Sequence, residues 1–359
     1  MKYQFAIAFL LLTLSVAAQS GAQDAESQIR MRIDRLEQAL QEKPILNADF
    51  PNFKEISGES IRSAREAVSN HRVFQSLERL AQLLSYVQGG RRGTEHLGTG
   101  SSALPAFEAK WAKANLELTA VDQQIRTRNW KNTPEALRAL IESALGKVVP
   151  LMAGSRGFAL STSPADGMFY MGQAEGLGEF VKFCASLNLP RTGKAIPARS
   201  LLPELQRLQE KVNAAFVPPK SIDQHPRFIA LNATLKTALE LDAGKFYRGA
   251  LYQYLDAVRS FGILDTAELD AGQKGELKNK IAALRATLRA SKDDSILEIF
   301  AERAESQVSS AATPDEWRSA FLISSQVVLV CVVVCEVVAM AKRTSRKTIQ
   351  VTLVRWPYT

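Results

Sequence analysis

Apolar residues recur along most of this chain at spacings of three and four, the period of a helix with one buried face. Ile29, Ile33, Leu36 and Leu40 form one such stripe. Leu104, Phe107, Trp111, Ala114, Leu118, Val121 and Ile125 form a longer one. Leu201, Leu205, Leu208 and Val212 repeat it, as do Leu277, Ile281, Leu284 and Leu288. The stretch from Ile61 to Val87 follows the same pattern through Val68, Phe74, Leu77, Leu80 and Leu84. Sustained alternation of apolar and polar residues, the mark of a half-buried strand, is missing from residues 23–312. The pattern predicts an all-α, multi-helix domain of about nine helices, either a bundle or an irregular helical-repeat-like stack.

Helix starts and stops are also legible. Thr133-Pro134-Glu135 and Ser163-Pro164-Ala165-Asp166 each offer a capping hydroxyl followed by proline at the first helical position, where its missing N–H costs nothing. Stops are expected at Gly89-Gly90, Pro190 and Pro218-Pro219. The glycine-rich stretch 89–103 reads as a flexible linker loop between an N-terminal helical segment, 23–88, and a main helical domain, 104–312.

Two apolar runs depart from this amphipathic pattern. In residues 1–22, Lys2 precedes an apolar stretch from Phe5 to Val16, and small residues follow at Ala17-Ala18 and Gly21-Ala22. This is the three-part pattern of a secretory signal peptide, too short to span a bilayer. The second run, Phe321 to Ala341, is 21 residues long and carries one charge, Glu336. That length covers the roughly 30 Å of a hydrocarbon core, whereas a buried valine-rich strand would stop at about ten residues. Thr313-Pro314-Asp315-Glu316 supplies a capping box before it, so residues 313–341 read as one C-terminal transmembrane helix. Lys342, Arg343, Arg346 and Lys347 follow, which sets residues 342–359 as a basic cytoplasmic tail. The expectation is a single-pass membrane protein of the cell envelope, its bulk periplasmic or extracellular. Glu336 lies close enough to Lys342 to reach the headgroups, and Cys331 and Cys335 share a helix face suited to packing.

Charge changes this picture little. The net charge of +8 invites a nucleic-acid reading, but Lys2 carries one of those charges and Lys342, Arg343, Arg346, Lys347 and Arg355 carry five, leaving +2 between them. The basicity therefore reports topology, and nucleic acid is excluded as a partner. Hydrophobic residues at 46% and charged residues at 23% are ordinary globular values and exclude wholesale disorder. Of the three cysteines only Cys184 falls in the exported part, so no disulfide forms there and the apolar core must hold it.

No catalytic, metal or cofactor motif is present. His71, His96 and His225 are scattered, and neither a His-Glu-x-x-His helix nor a Gly-x-Ser-x-Gly elbow occurs. Two features remain as candidates. Gly172 and Gly176, four residues apart, mark either close helix packing or a face on which a ligand rests. Phe246, Tyr247, Tyr252 and Tyr254 lie within nine residues and form a candidate partner surface, aromatics being frequent at binding hot spots. Ala238, Leu241, Tyr247, Ala250, Tyr254 and Ala257, with Gly244 between, resemble one degenerate tetratricopeptide (TPR) hairpin over residues 230–262, without its closing proline. That resemblance implies paired antiparallel helices with a concave peptide-binding face. The leading expectation is a non-catalytic, membrane-anchored binding or scaffolding module for another envelope protein or peptide. The alternative is a helical enzyme or small-ligand receptor with a pocket near the Gly172/Gly176 helix.

Overall fold

The computed structural model describes residues 24–42, 45, 53–95, 97, 102–161, 163–189, 191, 199–218, 222–265, 268–291, 296–310 and 313–325. The signal segment 1–22, the basic tail with Lys342, Arg343, Arg346 and Lys347, and most of the apolar run, including Cys331, Cys335 and Glu336, lie outside them. Among the described residues no helix is long and apolar enough to cross a membrane.

The described chain is all-α, with twelve helices and no strand. They are α1 (24–42), α2 (Phe53–Ser69), α3 (Val73–Gly93), α4 (Ala103–Arg126), α5 (Glu135–Ser161) and α6 (Pro164–Ser186). After these come α7 (Leu202–Ala215), α8 (His225–Ala243), α9 (Tyr247–Asp265), α10 (Ala271–Ser291), α11 (Ile296–Ser310) and α12 (314–325). The stretch from Ile61 to Val87 is two helices instead of one, because the chain turns at Asn70-His71-Arg72, where His71 takes a φ of 55°. The predicted stop at Gly89-Gly90 is not a stop. Helix α3 runs on to Gly93, because both glycines are buried against neighbours: a Cβ on Gly89 would meet the Gln173 side chain at 2.9 Å, and one on Gly90 would meet Phe53 at 2.4 Å. The linker is thus shorter than 89–103.

The caps form as the residue types require. Ser163 accepts from the Asp166 backbone N–H at 3.2 Å and opens α6. Thr313 Oγ1 accepts from the Glu316 N–H at 3.3 Å while Glu316 accepts from the Thr313 N–H at 2.9 Å, a reciprocal capping box at the start of α12.

One hydrophobic core runs from Ile29 on α1 to Ile323 on α12, so residues 23–88 and 104–312 share an interior. Phe107, Phe180 and Phe300 are fully buried in it, each contributing about 1.5–3 kcal/mol relative to exposure. Helix α6 is its axis, packed closely against α3 on one side and α5 on the other. A smaller cluster forms where Leu205, Leu208 and Val212 of α7 meet Phe228, Leu231 and Leu235 of α8. Tyr254 and Leu251 on α9 touch both clusters and join them.

Candidate functional site

Polar residues on several helices also recur at helical spacing. Gln75, Glu78, Gln82 and Ser85 form a stripe on α3, Tyr252, Asp256 and Arg259 one on α9, and Arg303 and Gln307 one on α11. These stripes converge, with Ser143 and Lys147 of α5, Gln173 of α6 and Ser60 of α2, around a cavity of about 660 Å³. Leu140, Leu151, Leu177 and Phe180 complete the wall. Ile56 and Gln82 are exposed and mark its mouth.

The deep wall is a network centred on Arg303. Its guanidinium donates to Asp256 Oδ1 at 2.7 Å, to the Tyr252 hydroxyl at 2.8 Å and to Glu78 Oε1. Tyr252 also donates to Glu78. Arg259 donates to Asp256 Oδ1 through two nitrogens and to Ser319 Oγ at 3.0 Å, tying the network to α12. Burial alone would raise the Asp256 carboxyl, but Arg303 and Arg259 outweigh it and hold it well below the usual range. Burial also lowers the Arg303 guanidinium, yet Glu78, Tyr252 and Asp256 keep it firmly charged. The Tyr252 phenol is pushed up by burial and then by Glu78, so it stays a donor.

Four cations line the cavity, Arg79, Lys147, Arg259 and Arg303, against two carboxylates, Glu78 and Asp256. Both carboxylates are engaged by arginines from the network. Arg79 bonds only Gln82, at 3.3 Å, and among the described residues neither Arg79 nor Lys147 has a carboxylate partner. Burial lowers Lys147 from its ordinary value, Asp256 and Glu78 oppose this, and Arg303 reinforces it. The Gln307 Oε1 atom is buried without a partner, one more unanswered polar group in the wall.

The sequence candidates fall around this cavity unevenly. Tyr252 is 8% exposed and part of the network, and Phe246 is 9% exposed beneath the Arg126 guanidinium. Neither faces outward, while Tyr247 and Tyr254 are half-buried, so the four aromatics do not make one outer surface. The burial follows from helix geometry: Tyr252 and Tyr254 diverge by about 200°, and each side of α9 faces another helix. Gly172 and Gly176 face α3, where a Cβ would lie 2.4 Å from the Gln88 carbonyl oxygen and 2.3 Å from that of Leu84. The backbone of α3 occupies the space that a ligand would need there. Their helix still reaches the cavity through Gln173, Leu177 and Phe180. Cys184 is a buried free thiol, raised by burial and far from thiolate character.

Lys147 escaped the sequence reading although a signal existed. Leu140, Ala144, Lys147 and Leu151 form a 4-3-4 stripe, which places one ammonium on an otherwise apolar helix face.

Compared with protein-family models, curated proteins and solved structures, the chain matches none.

Proposed function

We propose that this chain is an exported, membrane-anchored helical receptor for a small anionic molecule, which it takes up in the cavity between α2, α3, α5, α6, α9 and α11. The observation that carries this reading is the surplus of positive charge in the cavity wall, where among the described residues Arg79 and Lys147 have no carboxylate partner. Arg79 and Lys147 keep accessible surface on the cavity, so an anionic ligand there can pair with both without displacing a carboxylate. The volume of about 660 Å³ suits a small ligand, since such sites span roughly 300–1,000 Å³. Glutamine and serine side chains in the wall offer both donors and acceptors for its polar groups. Export and anchoring rest on the sequence pattern of residues 1–22 and 313–347. The test is a thermal-shift screen of the intact, detergent-solubilised protein against small carboxylates, phosphates, neutral polyols and amines. Stabilisation by anions alone supports the reading, and stabilisation by amines alone overturns it.

A second reading, a scaffold that docks an envelope protein or peptide on the TPR-like α8–α9 pair, is favoured by exposed Ile222 and Ile229 at 63% and 58%. Pull-down from membranes with wild type and with Ile229→Asp tests it. Loss of a partner in the variant supports docking, and equal recovery removes it.

A further inference from the structure

We propose that the groove between α1, α3 and α6 holds a doubly charged tetrahedral oxyanion, inorganic phosphate or a phosphate monoester, gripped by Arg32, Arg35 and Arg91. The groove and the larger cavity share no lining residue, so this site stands apart from the receptor reading.

Two helical stripes make the groove. Arg32, Arg35, Leu36 and Ala39 fall at i, i+3, i+4 and i+7 on α1, which puts them on one face. Leu84, Val87, Gln88 and Arg91 fall at the same intervals on α3. The two faces line one pocket of about 130 Å³. Glu179 of α6 closes it, three residues after Gly176, whose missing side chain lets α6 approach the α3 backbone. Glu179 is the one carboxylate of this wall among the described residues, and Arg32 pairs with it. Among the described residues Arg35 donates only to the Met31 thioether, at 3.3 Å, and the Arg91 guanidinium meets no carboxylate.

A merely solvated face would spread these charges, whereas the fold crowds them. Arg32 is half-buried, its Nε is buried without an acceptor, and its guanidinium is lowered by burial and then by Arg35 and Arg91. Nearby arginines are answered by acids. Arg65 holds Asp34 of α1 at 2.6 Å together with Glu37, and Arg92, next to Arg91, holds Glu175 at 2.6 Å and Glu95 at 2.7 Å. Those acids are thus engaged, and the groove keeps three guanidiniums against one carboxylate, a surplus of two positive charges that a dianion cancels. Guanidinium forks match the paired oxygens of phosphate, and the Gln88 amide adds a further donor. The volume is about four times the roughly 30 Å³ share of one water, room for a tetrahedral ion but below the roughly 300 Å³ at which sites for larger ligands begin.

The experiment is equilibrium dialysis of the full-length protein, in nonionic detergent at neutral pH and fixed ionic strength, against radiolabelled inorganic phosphate. Arg35→Gln and Arg91→Gln should each weaken binding at least about tenfold, the scale of one charge-assisted hydrogen bond. Without phosphate neither variant should melt lower than wild type, because each relieves the crowding of Arg32. Arg30→Gln removes the same charge from another, exposed face of α1 and should leave the affinity unchanged. Arg79→Gln, in the wall of the larger cavity, should leave this equivalent of phosphate in place. Acetate, a monoanion, should displace the label at least about tenfold less effectively than phosphate itself. Glycerol 3-phosphate distinguishes the two sources: displacement equal to that by phosphate assigns the site to the phosphate group of a larger molecule, and weaker displacement assigns it to the free ion. Equal weakening by Arg30→Gln and Arg91→Gln, or equal displacement by acetate, overturns the site. Loss of the label in Arg79→Gln alone places the ion in the larger cavity, so that the receptor reading stands and this inference falls. Absence of bound phosphate in wild type overturns it outright.

Discussion

Glu302 and Arg303 are neighbours on α11, yet they head two buried charge clusters of different character. Glu302 faces α10, where Arg285 pairs with Glu298 and Glu305 and approaches Glu302 at 3.8 Å, and it accepts the Gln75 backbone N–H at 2.7 Å. Among the described residues that cluster gathers three carboxylates of α11 around Arg285, whose side chain is almost wholly buried. Arg303, about 100° further round the helix, faces a wall with more cations than carboxylates around open space. Both clusters contain groups moved far from their ordinary titration. What separates them is the space beside them: in the first, burial and Glu298 push the Glu302 carboxyl up within packed protein, whereas in the second the cations line open space. Buried charge by itself therefore marks architecture, and surplus charge beside empty space marks a place for a ligand.

The comparison breaks most sharply under substitution of its central arginines. Arg285→Met and Arg303→Met should each cost about 3–5 kcal/mol, because each strands buried carboxylates without a cation. Urea denaturation measures this, and a loss below about 1 kcal/mol in either would mean that water reaches the carboxylates freely. Trp111→Ala, at the edge of the α4 stripe, should cost about 3 kcal/mol, part of it from the indole N–H bond to the Met152 carbonyl at 3.0 Å. Tyr252→Phe should cost about 0.5–1.5 kcal/mol, the net worth of its bond to Glu78 Oε1, an oxygen that Arg303 still answers.

A finer distinction appears in pH dependence. The Glu302 carboxyl is raised above its ordinary 4.5 by burial and then by Glu298, so its contribution is full below that value and is lost as pH rises through the raised one. Asp256 is depressed below 3.8, so its contribution is present above 3.8 and is lost as pH falls through the depressed value. Glu302→Gln should flatten the decline in stability on the alkaline side and Asp256→Asn the decline on the acid side, in denaturation series across pH. A variant pair that flattens the same limb contradicts the assignment. The smallest effect belongs to Lys147→Met. With no partner to strand, it should change stability by less than about 0.5 kcal/mol, against the large loss at Arg285.

Much of the fold was legible because burial imposes a period. Phe107, Ala114, Leu118, Val121 and Ile125 are buried as their spacing predicts, and the Ser163 and Thr313 caps close where their side chains allow. Gly89 and Gly90 misled because glycine is used both to end helices and to let them touch, and only the partner surface decides which. The cavity was half-legible. Its polar stripes and the lone lysine on an apolar face of α5 are visible in sequence, but the pairing of Glu78 with Arg303 spans 225 residues and depends on the packing of distant helices. The surplus on Lys147 follows from that pairing and could not be read before it.

Helix α12 does more than finish the fold. Ala320 and Ile323 are fully buried, Leu322 lies against Gly262, and Arg259 holds Ser319. Arg227 and Arg318 both pair with Asp315 at the start of the same helix. The position and heading of α12 are therefore set by packing. The helix behaves as a clamped beam and not as a string. A load on α12 is shared with α9 through Arg259, which also lines the cavity wall, so the helix and that wall are mechanically one piece.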